Sequence, residues 1–192
     1  MEKKTDRRIL RTIRMLDDAM MELLEKKPVS EIGVTELCQQ ADINRNTFYC
    51  HYNTPQDVLS HLEARMMERI GDAISSVSNS VEASEAVLVA LSSDKRLAGV
   101  LLSENAGNHF SSRLFSLAEK RALNIMQRES SKLCSNYQAM LSDFTVAGGA
   151  AIVKRWAKTG MEEPPEDVAM FIRTVCNLGS QEMQNNPEQR FQ

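Results

Sequence analysis

Between Thr35 and Thr54 the chain carries a series of hydrogen-bonding side chains: Thr35, Asn44, Arg45, Asn46, Thr47, Tyr49, His51 and Thr54. Their chemistry is that of nucleic-acid readout. An Arg guanidinium matches the two acceptors on the major-groove edge of guanine, and an Asn carboxamide matches the donor–acceptor pair of adenine. Phenol, imidazole and hydroxyl groups can donate to phosphate oxygens, which fix register without reading sequence. Other chemistries fit less well. Cys38, Cys50, His51 and His61 match no zinc-ligand spacing, and Cys38 falls on an apolar stripe, so no metal is expected. The four cysteines, Cys134 and Cys176 included, form no CxxC pair and suggest neither a disulfide framework nor a zinc finger. No nucleophile elbow, phosphate loop or HExxH is found, and His109 stands alone, so the chain is not expected to be an enzyme.

The elements that must hold these side chains are helical. Ile9, Ile13, Leu16, Met20, Leu23 and Leu24 recur at intervals of three or four, the period of an amphipathic helix that ends near Lys26-Lys27-Pro28. Val34, Leu37, Cys38 and Ala41 predict a short helix with Thr35 as its N-cap. Asp42-Ile43-Asn44 reads as a tight turn around a buried Ile. Asn44 then caps a second short helix, from Arg45 to about His51, that turns Phe48 inward. Thr54-Pro55-Gln56-Asp57 opens a longer helix, with a hydroxyl at the N-cap, Pro at the first position and a carboxylate at the third. Two short helices joined by a three-residue turn and flanked by longer ones make a helix-turn-helix arrangement.

Further helices are expected at about 85–92, 95–102, 110–133 and 137–158, the last ending at Gly160. Pro164-Pro165-Glu166-Asp167 opens a final one that runs to Gly179. The Ser-rich stretch Ser75 to Ser84 is the best candidate boundary. Gly148-Gly149 inside an apolar helix costs up to about 1 kcal/mol per Gly relative to Ala. That cost suggests close helix approach, at a dimer seam or beside a pocket, with a slight kink as the alternative.

Composition supports the helical reading. Of 192 residues 42% are hydrophobic, which excludes disorder, while 5% aromatics, 8 Gly and 5 Pro argue against a sandwich or barrel. The ten residues from Phe144 to Val153, closed by Lys154 and Arg155, fall well short of the roughly 20 a bilayer crossing needs. No membrane partner is expected. The N-terminus lacks the apolar segment of a secretory signal, and cytoplasmic localisation is the default expectation. A formal net charge of -3 argues against a nucleic-acid binder, yet Lys3, Lys4, Arg7, Arg8, Arg11 and Arg14 face only Glu2 and Asp6 in the first 14 residues. The positive charge is local.

The run Thr35 to Tyr52, and within it Thr47-Phe48-Tyr49-x-His51-Tyr52, resembles the DNA-binding motif of the TetR/AcrR (tetracycline-repressor-like) family of bacterial regulators, whose pattern is Thr-Leu-Tyr-x-His-Phe. The resemblance covers about Arg8 to Leu62. More weakly, Phe144 to Gly149 with Trp156 and Gly160-Met161 resembles the C-terminal domain of a Gram-positive branch that includes the activator of dihydroxyacetone kinase genes. The resemblance implies an all-α fold of about nine helices. It implies a helix-turn-helix DNA-binding domain over residues 1–60, a helical ligand-binding and dimerisation domain over 61–180, and a polar tail over 181–192. Tyr49 takes the family's phosphate-contact position, Thr47 a base- or phosphate-contacting one, and Arg45 and Asn46 the variable sequence-reading ones. Where the family often has Lys opening the fourth helix this chain has Pro55, so Thr54 or the helix amides must supply that phosphate contact.

The last two helices are expected to pair with a twin subunit, with Gly148, Gly149, Ile152, Phe171 and Val175 at the interface. Regulators of this kind commonly bind a small-molecule effector between their C-terminal helices. Phe110, Met126, Tyr137, Phe144 and Trp156 are the expected lining, against ordinary core packing. No cofactor is expected. The function so implied is a homodimeric repressor released from a palindromic double-stranded DNA operator by a small molecule. The alternatives are an activator, a regulator controlled by a partner protein, or a helical adaptor that no longer binds DNA.

Overall fold

The apolar period of the first two dozen residues is realised as one helix, α1 (Glu2–Leu24), in the computed structural model of the protein, which describes residues 2–77, 80–117 and 135–185. Leu16, Met20, Leu23 and Leu24 are buried as the stripe predicts, whereas Ile9 is exposed and Ile13 half-buried. A 3-10 turn, Val29–Glu31, follows Pro28; no sequence signal marked it. Then come α2 (Val34–Gln40), α3 (Arg45–Tyr49), α4 (Pro55–Ser75), α5 (Ser80–Ser92), α6 (Lys95–Leu101), a 3-10 turn at Glu104–Ala106, α7 over 109–117, α8 (Ser135–Lys158) and α9 (Pro165–Asn185). The described residues hold these nine α-helices and no strand, as an all-α chain should.

Some boundaries move. The N-cap of α2 is Gly33, so Thr35 lies inside the first turn. The last helix continues to Asn185, past the expected stop at Gly179, because Gly at a helix interior costs only about 1 kcal/mol and does not by itself end a helix. Of the helix expected over 110–133, only the part through residue 117 falls among the described residues. At Gly160 the expectation holds: with φ of 80° it closes α8, and Met161 N–H donates to Trp156 O (2.9 Å) while Gly160 N–H donates to Ala157 O (3.2 Å).

The chain forms two compact units. Residues 1–68 and 96–110 make the first, and residues 69–95 and 111–192 the second. In the first, Leu16, Met20 and Leu24 of α1, Leu37 of α2, Phe48 of α3, Leu59, Leu62 and Met66 of α4, Leu97 of α6, and Phe110 are fully buried. Each such side chain contributes about 1.5–3 kcal/mol relative to exposure. The later segment is tied in by polar contacts: Asn105 Nδ2 donates to Leu24 O (2.8 Å), Arg96 Nε to Glu25 Oε1 (2.8 Å), and His109 Nδ1 meets Glu63 Oε2 at 2.5 Å. In the second unit α9 packs on α5 and α8. Trp156 is buried there and its Nε1 donates to Glu163 O (3.0 Å), while Lys95 Nζ donates to Met161 O (2.5 Å).

Candidate nucleic-acid interface

The helix-turn-helix is set by backbone geometry that the residue types allow. After α2, Asp42 adopts φ of 51°, a left-handed conformation that Asp tolerates better than most residues. Ile43 N–H then reaches back to Cys38 O (3.0 Å) and Asp42 N–H to Gln39 O (3.2 Å), the double bond of a Schellman motif. Asn44 caps α3 as the sequence predicts, its Oδ1 accepting from Thr47 N–H at 2.8 Å. Phe48 is fully buried and anchors α3. Around this anchor Arg45, Asn46 and Tyr49 are exposed to solvent, with Tyr49 56% exposed and its ring edge-on to Phe48 (5.4 Å).

Phosphate oxygens only accept, so the useful groups at such a surface are donors. The hydrogen bonds in place decide which hydroxyls can give one. Asn44 Oδ1 faces the Thr47 N–H, which fixes that atom as oxygen; the Thr47 hydroxyl, 3.0 Å from the same oxygen, must donate to it. Thr47 therefore presents lone pairs outward. Thr35 Oγ1 instead accepts from Arg45 Nη2, a bond that leaves its own O–H unused. Thr54 Oγ1 accepts from Asp57 N–H (3.3 Å), again leaving its O–H unused. Asp57 Oδ2 in return accepts from Asn53 N–H and Thr54 N–H, both at 2.9 Å, completing the box that opens α4. Those bonds, led by the one from Thr54, hold the Asp57 carboxyl below its ordinary value. His51 is half-buried at the end of α3, where its N–H donates to Phe48 O (2.9 Å).

Beneath this surface lies a polar cluster absent from the sequence reading. Asp17 of α1 is 2% exposed. Arg65 Nη1 of α4 donates to its Oδ2 at 2.6 Å, and His61 Nδ1, also of α4, stands 3.4 Å from its Oδ1. The Tyr52 hydroxyl lies 3.0 Å from that same Nδ1, and the Tyr52 ring packs against Phe48 at 6.2 Å. Burial pushes the Asp17 carboxyl up despite Arg65 and His61, and pushes the Tyr52 phenol up to about 12. Asp17 is next to Leu16 in a helix whose apolar stripe is otherwise regular; that stripe leaves the burial of an acid unforeseen.

The residues expected further along the chain are spread out. Phe110 is buried in the first unit's core. Trp156 is buried in the second unit, and Phe144 on α8 is 72% exposed. Met126 lies outside the described residues, and Tyr137 lies in the first turn of α8. Phe171 and Val175 are exposed on α9, Ile152 is half-buried, and Gly149 faces Ile172, whose Cγ2 is 3.8 Å from where a Cβ would sit.

An all-helical chain with an anchored, polar-faced second helix after a Schellman turn is of the helix-turn-helix regulator class. Residues 78–178 match the TetR-type family described as "Transcriptional regulator C-terminal region". The chain belongs to the TetR family of transcriptional regulators. A Bacillus subtilis (strain 168) protein, described as the uncharacterized HTH-type transcriptional regulator YxbF, is 32% identical over 79 residues, 41% of this chain. That match spans about a fifth (21%) of the relative's length. Among solved structures, a TetR transcriptional regulator from Streptococcus agalactiae 2603V superposes with a TM-score of 0.68 at 20% identity, covering 92% of this chain and 99% of the other. The dihydroxyacetone kinase operon activator DhaS superposes with a TM-score of 0.56 at 16% identity, covering 89% and 97%. Family and fold are those of transcriptional regulators and not of enzymes. No helix among the described residues is long and apolar enough to cross a membrane.

Proposed function

We propose that the protein is a homodimeric repressor that reads a palindromic operator through α3 and leaves it when a small molecule binds the C-terminal helices. The observation that carries the DNA reading is the exposed face of α3, where Arg45, Asn46 and Tyr49 surround an anchoring Phe48. Arg45 and Asn46 contact base edges. Tyr49, Thr35, Thr54 and the amide of Asn44 donate to phosphates. Thr47, with its hydrogen held by Asn44, accepts from a base amino group. His51 adds a donor at the edge of the surface. These contacts fall within the first unit, while the second, residues 69–95 and 111–192, carries dimerisation and effector binding.

Dimerisation is supported by exposed apolar side chains on the last two helices: Met140 and Phe144 on α8, and Met170, Phe171 and Val175 on α9. A two-fold pair of heads demands half-sites about one helical turn, roughly 34–36 Å, or a multiple of it apart. The effector acts by preferring one spacing of the heads over the other. The likeness to DhaS, itself an operon activator, keeps activation as a second reading.

Gel-shift titration on the region upstream of the gene tests the core of this reading. Specific binding is expected to weaken steeply as salt rises. The Arg45→Ala, Tyr49→Phe double variant is expected to lose it; unchanged binding refutes the surface. Expression of the neighbouring genes on deletion separates the modes, rising for a repressor and falling for an activator.

A further inference from the structure

Tyr52 stands where the TetR pattern has Phe, and its extra hydroxyl is not left to solvent: it lies 3.0 Å from His61 Nδ1. That nitrogen also faces Asp17 Oδ1 at 3.4 Å, and Oδ1 is buried without a hydrogen bond. One ring nitrogen thus has two candidate partners of opposite need. With His61 neutral and Nδ1 bare, the nitrogen accepts the Tyr52 hydroxyl proton, and the Asp17 oxygen opposite it faces a lone pair. With His61 protonated, Nδ1–H donates toward the carboxylate, and the Tyr52 oxygen becomes a second acceptor for the same hydrogen. The cation satisfies an oxygen that the neutral ring leaves orphaned while its Nδ1 accepts from Tyr52, and an orphaned buried acceptor is costly.

The consequence reaches α3 through packing. The Tyr52 ring contacts both Phe48, the anchor of α3 (6.2 Å), and His61 (6.0 Å). Tyr52 N–H also donates to Phe48 O at 3.0 Å. Asp17 from α1 and Tyr52 from the link between α3 and α4 face His61, and Arg65, one turn further along α4, shares Asp17 with it. Arg65 is committed to the other Asp17 oxygen at 2.6 Å, so it does not compete for Oδ1. The Tyr52 phenol stays protonated well above neutrality, so it keeps its hydrogen whichever way His61 is protonated.

We propose that Tyr52, His61 and Asp17 form a proton-controlled positioning relay for the recognition helix, in which protonation of His61 adds a second α1–α4 contact beside the Arg65–Asp17 pair and tightens DNA binding. None of the three touches DNA; they are positioning residues. The inference rests on the DNA-binding reading above. Because linkage is reciprocal, operator binding in turn favours the protonated ring. Affinity therefore rises as pH falls.

The Tyr52→Phe variant gives a result that a lost hydrogen bond alone cannot. Without the hydroxyl, nothing holds Nδ1 bare, so the neutral ring adopts the Nδ1–H tautomer and donates to Asp17 at any pH. The variant should therefore bind more tightly than the wild type at high pH and equally at low pH. Affinity is measured by fluorescence anisotropy with a labelled duplex that the wild type selects from a random-sequence pool, at fixed ionic strength, near pH 6 and near pH 8. The wild type is expected to bind about fivefold tighter at the lower pH, the worth of about one hydrogen bond. Tyr52→Phe should lose most of that dependence, and His61→Gln all of the part the relay supplies. His51 and His109 are common to wild type and Tyr52→Phe, so the difference between those two isolates the relay. A wild type and Tyr52→Phe with the same pH slope, or a Tyr52→Phe weaker at both, overturns the proposal. Should the wild type select no duplex, the DNA-binding reading fails; thermal midpoints of the same proteins then decide the relay, which predicts that Tyr52→Phe gains on the wild type near pH 8 and is overturned by parallel curves. If Tyr52→Phe does not fold, a His61→Gln profile shallower than the wild type's supports the relay, and one as steep as the wild type overturns it.

Discussion

Replacing Gly148 with Ala asks whether the glycine pair of α8 serves the protomer or a partner helix. A Cβ added at Gly148 meets no heavy atom within 4 Å, and one at Gly149 meets only Ile172 Cγ2 at 3.8 Å, an ordinary contact. Nothing among the described residues of the protomer opposes the substitution, so helix propensity acts alone and favours Ala by about 0.8–1.0 kcal/mol. For a chain of this length that raises the thermal midpoint by about 2–4 °C. Gly71 is the internal control: it is exposed within α4, and its Cβ would also enter open space. Gly71→Ala should show the same gain and leave association untouched. If α8 of a second copy approaches closely at Gly148, the added methyl overpacks the seam, at about 1–3 kcal/mol, or roughly 5–150-fold in the dimer dissociation constant. Urea unfolding at concentrations above and below dissociation, with sedimentation velocity, separates the two terms. A Gly148→Ala protein less stable as a monomer refutes the open-space geometry. One that gains stability and dimerises as before refutes close approach at that position.

Two further perturbations follow from hydrogen bonds at α4. Asp57→Ala removes the charged half of the box; because the Asp57 carboxyl titrates below its ordinary 3.8 in the folded chain, its stabilisation is fully present above that value and lost as pH falls through the folded one. The difference in thermal midpoint between wild type and variant should therefore be constant near neutrality and vanish in acid; a difference that survives acidification contradicts a charged cap. His109→Ala strands Glu63, which is 1% exposed, and is expected to cost about 1–3 kcal/mol in urea unfolding. Adding Glu63→Leu should recover part of that loss; losses that simply add would show the pair is not coupled.

Local signals in the sequence foretold local structure. Asn44 caps α3, Thr54 and Asp57 exchange backbone bonds, Gly160 closes α8 and Phe48 is buried, each because a side chain's own chemistry acts within a few residues. Thr35 looked like a cap because a hydroxyl precedes an apolar run, but Gly33 takes that place and the Thr35 hydroxyl turns to Arg45, ten residues on. What stayed hidden is long-range. Glu63 meets His109 across 46 positions, Asn105 meets Leu24 across 81, and Asp17 meets Arg65 across 48. No periodicity encodes such meetings, since a polar residue on a helix reads as solvated until the element that covers it is known.

The first unit is made from two stretches of chain, residues 1–68 and 96–110, and the order of synthesis therefore matters. A ribosome adding about 5–20 residues per second takes roughly 2–8 s to travel from residue 68 to residue 110. Through that interval the emerging head has its helix-turn-helix but lacks Leu97, and Leu24, Glu25 and Glu63 await Asn105, Arg96 and His109. A head cut out at residue 60 stays permanently in that condition, missing Glu63 as well. The residues made in the meantime, 69–95, belong to the second unit. The head is completed only after its neighbour has been started, and the two halves of the regulator are interleaved in time as they are along the chain.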